Sequence, residues 1–374
     1  PANRCYLRRN CMIIDRRYFF NFDWISFGIT WTLALLGLAF VYSSTTTPAI
    51  PYSVYFKKQL LGVITGFFIY LFFAFKDYRK LCRAGYFAYF LVFGLLVFTL
   101  IKGKIGMGAR RWIDLKLFKF QPSEITKLIF PSFLTYYLYT EKDVPLYTMD
   151  TFMPLLGVLV VSALLILKQP DLGTAIIFFG SGLVMLWFSG IGNKFFRYGL
   201  VCALLAAPVA WKTLKPYQQK RVLVFLGAGD SRKERYQIEQ SKIAIGSGEL
   251  SGKGFCQGTQ NTLMFLPESR TDFIFAVVCE EWGFFGGCLL LLLYAILFIR
   301  IMLRLKKIPT FFAQLLGIGI LSSTMLATFI NMAMVCDMLP VVGIPLPLFS
   351  YGLTSLWITL ASLGWIQGII TRTF

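Results

Sequence analysis

The chain is dominated by long apolar stretches, and these restrict it to very few folds. They run over 23–43, 60–75, 84–101, 122–139, 152–167, 172–189, 195–211, 272–299, 311–336 and 350–370. About 18 consecutive apolar residues are enough to cross the hydrocarbon of a bilayer. Lipid offers no water to unpaired backbone groups, so such spans must be helical. The predicted fold is therefore an all-α polytopic membrane protein with about ten transmembrane helices. Composition agrees: only 15% of residues are charged, against roughly 25% in soluble domains. Trp24, Tyr42, Tyr78 and Trp211 stand near span ends, where interfacial aromatics belong.

Three regions follow from this reading. Residues 1–22 form a basic cytoplasmic tail, 23–374 a single transmembrane domain, and 212–271 one long extracytoplasmic loop between spans seven and eight. Within that loop, Gln237 to Ile245 reads as helix. The glycines at 246, 248, 252, 254 and 258 read as irregular chain.

Orientation rests on the first loops. Arg4, Arg8, Arg9, Arg16 and Arg17 precede the first span, and only Lys57 and Lys58 follow it. Positive charge collects on the cytoplasmic side, which puts the N-terminus inside and, after ten spans, the C-terminus too. Two outer loops run against the rule. The 102–121 loop carries Lys102, Lys104, Arg110, Arg111, Lys116 and Lys119 against Asp114 alone, and the 212–271 loop is also basic. Either these charges bind an anion, or they meet outer-leaflet lipid headgroups, or the topology is shifted by one span. The net charge is +19, but its basic residues lie between spans, so the expected partners are membrane lipids and no nucleic acid. Eight cysteines show no metal-ligand spacing, so neither a disulfide framework nor a zinc site is expected.

Four constellations can carry chemistry. The first is Gly108 to Ile113 followed by Phe120, Gln121, Pro122, Ser123, Glu124 and Lys127. Pro122 suits a first helical turn, and Glu124 meets the positive end of the helix dipole there. Lys127 lies one turn deeper, so it pairs with Glu124 or faces a polar cavity. The second is Lys168-Gln169-Pro170-Asp171, a tight turn in which Asp171 reads as a helix cap. The third runs from Pro267 to Phe273. Asp272 stands where loop meets bilayer, a setting that raises a carboxyl pKa toward the range of a general base. A plain capping role is the alternative. Glu280 and Glu281 lie about two turns beyond. The fourth is Pro340, Gly343, Pro345 and Pro347, then Ser350-Tyr351-Gly352. Its prolines forbid regular helix, so the segment must be covered by protein or line a wet cavity, with Asn331 as lining.

Together the blocks GARRWI with FQPSE, QPDLGTA, and LPE followed by TDFIFAV and EE resemble the SEDS family (RodA/FtsW/SpoVE) of cell-wall proteins. The likeness runs from Asp23-Trp24 to Ser350-Tyr351-Gly352, and residues 254–260 and 339–347 resemble its RodA-type branch. It implies a peptidoglycan glycosyltransferase of the bacterial cytoplasmic membrane. Such a protein polymerises lipid II on the extracytoplasmic face beside a class B penicillin-binding transpeptidase. The family's essential aspartate falls on Asp272. Its substrate-binding segments match Arg110, Arg111, Trp112, Gln121, Ser123, Glu124 and Lys127. Lys168, Asp171, Glu281 and Ser350 complete the candidate set. No organic cofactor is implied; a divalent cation, Mg or Mn, could bridge diphosphate and acids. Three departures stand out: Arg270 where the family usually has His, Leu353 for the second glycine of its last motif, and Lys116 for another glycine. A lipid II flippase and a non-catalytic scaffold for the transpeptidase remain the alternatives.

Overall fold

The computed structural model describes residues 20–46, 52–106, 109–114, 119–140, 149–213, 216–227, 232–263 and 265–373. The predicted basic tail lies outside them as far as residue 19, and so does Lys116. Helices cover each apolar stretch: α1 Trp24–Thr45, α2 Val54–Phe75, α3 Tyr78–Lys102, α4 Pro122–Thr140, α5 Met149–Lys168, α6 Leu172–Phe188 and α7 Asn193–Thr213. After them come α8 Pro216–Phe225, α9 Arg232–Ser247, the short α10 Thr259–Thr262, α11 Ile274–Lys306, α12 Phe311–Val335 and α13 Leu353–Thr373. Among the described residues, α1, α2, α3, α5, α11, α12 and α13 are long and apolar enough to cross a membrane, and α6 is a shorter apolar helix.

Two helices start earlier than expected. α2 begins at Val54, where Ser53 accepts a hydrogen bond from the Phe56 amide at 3.1 Å. α3 begins at Tyr78, where Asp77 accepts from the Arg79 amide at 3.0 Å. In both cases the first turns carry lysine or arginine, which ends an apolar run without ending a capped helix. The 104–120 segment is not plain loop. Its strands β1 Lys104–Gly106, β2 Ala109–Asp114 and β3 Lys119–Phe120 form an antiparallel sheet in the order β1-β2-β3. Lys104 faces Trp112 across it, and Ile113 faces Phe120.

The bundle is tied at one end by Asp23. This buried carboxylate caps α1 through Ser26 and receives both Nε and Nη2 of Arg300, at 2.8 and 2.7 Å, from the far end of α11. α13 lies along α2, and α3 along α4. The predicted helix at 237–245 sits inside α9, which reaches α12 through Ser241 Oγ donating to the Val335 carbonyl at 3.0 Å.

α11 is broken at Gly283, whose φ of 66° and ψ of −163° no residue with a side chain adopts readily. The break frees backbone groups on both sides of it, and the glycine-rich chain after α9 takes them up. Lys253 and Gly254 amides donate to the Glu280 and Glu281 carbonyls at 3.1 and 2.9 Å. The Phe284 amide donates to the Glu249 carbonyl at 2.8 Å, and the Phe285 amide to Leu250 at 3.2 Å. These four bonds re-pair backbone groups at the break, as a broken helix at membrane depth requires.

Candidate active site

Residues 340–352 form the hub of the site. The prolines keep this segment out of helix, as expected, and its backbone is pinned by buried side chains. Asn331, fully buried on α12, donates through Nδ2 to the carbonyls of Ile344 at 2.6 Å and Asp272 at 2.9 Å. Ser350 Oγ donates to the Thr271 carbonyl at 2.5 Å and accepts from the Leu346 amide at 2.8 Å. The Tyr351 amide donates to the Arg270 carbonyl at 2.9 Å. Gln59, buried on α2, bridges the same turn, donating to Ser350 O at 3.2 Å and accepting from the Gly352 amide at 3.3 Å. The backbone around Asp272 is thus held from three directions.

The Asp272 side chain is left available. The N-cap position of α11 is Phe273, without a side-chain cap bond, so Asp272 is not the helix cap. Its carboxyl accepts no hydrogen bond from the described residues and lies near Gly343, 3.5 Å from where a Cβ there would stand. It precedes the spanning helix and keeps some surface exposed. Burial nonetheless dominates its proton affinity, pushing the pKa up to about 6. The Glu268 carboxylate adds to the rise, and Arg221 and Arg111 oppose it.

Arg111 reaches the hub through Asp171. Alternation along β2 puts Arg111 and Ile113 on one face. The Arg111 guanidinium pairs with Asp171 at 3.3 Å, and its buried Nε has no hydrogen-bond partner. Asp171 does cap α6, accepting from the Thr174 amide at 3.3 Å, but it also accepts from Gln121 Nε2 at 2.6 Å and Ser123 Oγ at 3.1 Å. One buried carboxylate therefore joins the Arg111 strand, the start of α4 and the start of α6. Two positions on, a Cβ at Gly173 would come within 2.6 Å of the Ile344 side chain, so the α6 start abuts the 341–344 chain. Arg221, from α8, donates to the Val341 carbonyl at 2.9 Å. Nothing in the local sequence shows that α8 returns to residue 341.

The remaining candidates divide. Glu124 and Lys127 form the expected pair at 2.9 Å. They line a cavity of about 20 Å³ with Ser323, Thr324, Thr359 and Ser362, room for about one water. Trp112 lies beside the Arg111 guanidinium, 5.8 Å from ring centre. Lys168 is exposed at the end of α5 and makes no ion pair with described residues. Glu281 is not brought to Asp272. It accepts from Ser43 Oγ and from the Cys256 amide, and Glu280 accepts from the Thr259 and Gln260 amides and from Lys253 at 2.7 Å. These two acids anchor the 253–260 chain. The Arg110 side chain lies outside the described residues. Among the described residues no three His, Cys, Asp or Glu side chains gather as a metal cage.

Two of the sequence departures have structural accounts. Arg270 places its guanidinium 3.9 Å above the Tyr55 ring centre, a contact that suits a cation on an aromatic face. Leu353 packs its side chain against Gly62 of α2. Below the sheet an apolar groove of about 640 Å³ opens between α2, α3, α4 and α13. Ile113 and Phe120 of the sheet line it together with Phe73, Leu128 and Trp357.

The family model described as cell cycle protein, FtsW/RodA/SpoVE, matches residues 24–373. The peptidoglycan glycosyltransferase MrdB of Escherichia coli is 39% identical over 286 residues, covering 76% of this chain and 77% of that protein. A chain from a structure on the coordination of polymerization and crosslinking by a peptidoglycan synthase complex superposes with a TM-score of 0.78 at 29% identity. That match covers 94% of this chain and 98% of the other. The rod shape determining protein RodA of Thermus thermophilus gives 0.69 at 26% identity over the same shares.

Proposed function

Because this chain belongs to the FtsW/RodA/SpoVE family, we propose that it is a peptidoglycan glycosyltransferase that polymerises lipid II into glycan strands for cell elongation. The convergence of Asp272, Arg221 and the Arg111–Asp171 pair on one pinned segment, 341–344, carries the reading. Asp272 acts as general base, taking the proton from the acceptor sugar hydroxyl as it attacks the donor. A single displacement inverts the α-linked donor to a β-linked glycan and releases polyprenyl diphosphate. Charge grows on that leaving group, and a preorganised guanidinium stabilises it. Arg111 is suited to this because its planar fork matches phosphate oxygens and its Nε is unclaimed. Asp171, Gln121 and Ser123 fix where that fork points. The donor's polyprenyl tail lies in the apolar groove under Ile113 and Phe120. Burial, with the Glu268 carboxylate adding to it, keeps the pKa of Asp272 near its working range.

In this reading 23–374 is one transmembrane domain in the bacterial cytoplasmic membrane. Its ten apolar helices cross it, both termini face the cytoplasm, and 212–271 lies outside with the active site. The partner is a class B penicillin-binding transpeptidase, as the likeness to a chain of a synthase complex suggests.

The reading is tested by adding lipid II to the purified chain and resolving glycan products on a gel. A flippase or a scaffold would yield none. The pH dependence gives a sharper check. A general base works deprotonated, so kcat/KM is expected to fall about tenfold per pH unit below about 6 and to level off above it. A profile flat down to pH 4.5 would remove the base role. Arg111→Ala is expected to raise the KM for lipid II at least about tenfold, the worth of a charge-assisted hydrogen bond. Arg111→Lys keeps the charge without the fork and should fall between. Equal losses in thermal midpoint and activity would make Arg111 a packing residue instead.

A further inference from the structure

At the other end of the bundle a second groove, of about 710 Å³, separates the first turns of α3, the last turns of α4 and the start of α12. It is remote from Asp272. The helix that begins at its wall, α12, runs 20 residues from Phe311 to the Asn331 that holds the Asp272 backbone, about 30 Å at 1.5 Å per residue. Nothing in the proposed reaction uses it.

Its electrostatics are one-sided. Arg79, Lys80 and Arg83 stand exposed on the α3 wall, and none makes an ion pair with the described residues. Arg79 Nε donates to Tyr78 Oη at 3.3 Å, and the neighbouring acid, Asp77, caps α3 and also acts on the Arg79 charge. Cations at a helix N-terminus oppose the helix dipole, so three of them there concentrate positive potential. A second helix start adds to it. Thr310 is the N-cap of α12, yet its side chain makes no cap bond. Its Oγ1 is buried without a partner. Across the groove Thr135, only 1% exposed, also has a buried Oγ1 with no hydrogen-bond partner. Unmade hydrogen bonds of this kind are costly, and two on one groove point to an absent polar ligand. The other walls are carbon: Leu138, Leu315, Phe311, and Phe312 with its ring 5.0 Å from that of Tyr139.

We propose that this groove binds the headgroup of an anionic glycerophospholipid. The phosphodiester sits among Arg79, Lys80, Arg83 and the hydroxyl and amides at the start of α12, an arrangement of helix N-terminus and cations that suits phosphate. The upper acyl chains lie on the apolar and aromatic walls. A free phosphate would match the cations but would leave those walls unused.

The test is a titration of the full chain in neutral detergent, read by native mass spectrometry, with phosphatidylglycerol, phosphatidylcholine and inorganic phosphate. The parent is expected to retain phosphatidylglycerol in preference to phosphatidylcholine. Arg79→Gln, Lys80→Gln and Arg83→Gln together should weaken that retention about tenfold or more. Thr310→Val should weaken it severalfold, whereas Lys57→Gln with Lys58→Gln, at the other end of the bundle, should not change it. Thermal midpoints establish that each variant is folded; if the triple variant is not, Thr310→Val and Arg83→Gln alone decide. Equal retention by parent and groove variants, or of the two lipids by the parent, would overturn the proposal. So would ready displacement of the lipid by millimolar inorganic phosphate, which would assign the groove to a free anion.

Discussion

Asp272→Asn should leave the chain inserted and folded and lower glycan polymerisation by about a hundredfold or more, the usual worth of a positioned general base. The substitution is nearly isosteric and removes only the proton acceptor. The backbone there is held by its own carbonyl, through Asn331, and by the neighbouring Thr271 and Arg270 carbonyls, through Ser350 and Tyr351. None of those bonds uses the Asp272 side chain, so the thermal midpoint should barely move. Lipid II affinity should persist too, because the cations remain. The measurement is single-turnover polymerisation beside a binding assay on the same preparation. Normal polymerisation by the variant would remove Asp272 from the mechanism, and loss of binding in parallel with activity would give it a substrate-holding role instead.

Gly283→Ala should destabilise the protein by about 3 kcal/mol or more, far beyond an ordinary surface change. An added Cβ would stand 2.3 Å from the Gly252 amide nitrogen and 2.6 Å from the Leu250 carbonyl. Neither atom belongs to a side chain that could turn away. Gly252→Ala meets the same obstacle from the opposite side, since its Cβ would fall 2.1 Å from the Glu281 carbonyl oxygen at a φ of 80°. Each glycine is where the other's backbone passes, so the two losses should be far from additive. Denaturant midpoints in detergent for both single variants and the double variant check this. A midpoint matching the parent for Gly283→Ala would show that the break in α11 tolerates a side chain. Activity should drop with folding rather than ahead of it, because Gly283 lies more than two turns beyond Asp272.

Hydropathy marks where the apolar helices lie, seven of them long and apolar enough to cross a membrane among the described residues, because a bilayer demands long apolar runs whatever the fold. It misjudged the starts of α2 and α3, where Lys57, Lys58, Arg79 and Lys80 end the apolar pattern but not the backbone hydrogen bonding. The strands between 104 and 120 are short and carry no strong period, so the pattern does not show them. In the site, the pairing of Glu124 with Lys127 could be read locally, since residues three apart share a helix face. So could the capping half of Asp171's role.

The second half of that role could not, because Gln121, Ser123 and Arg111 come to Asp171 from 48 to 60 residues away in the chain. The arrival of Arg221 at Val341, the pinning of Asp272 by Asn331, and the turning of Glu281 toward Cys256 rather than the site are of the same kind. Sequence alone marked which segments are apolar enough to enter lipid and which ionisable residues flank them, since solvation and local spacing decide both. Tertiary structure alone decided which of those ionisable groups meet, because contacts between distant segments depend on how the helices pack.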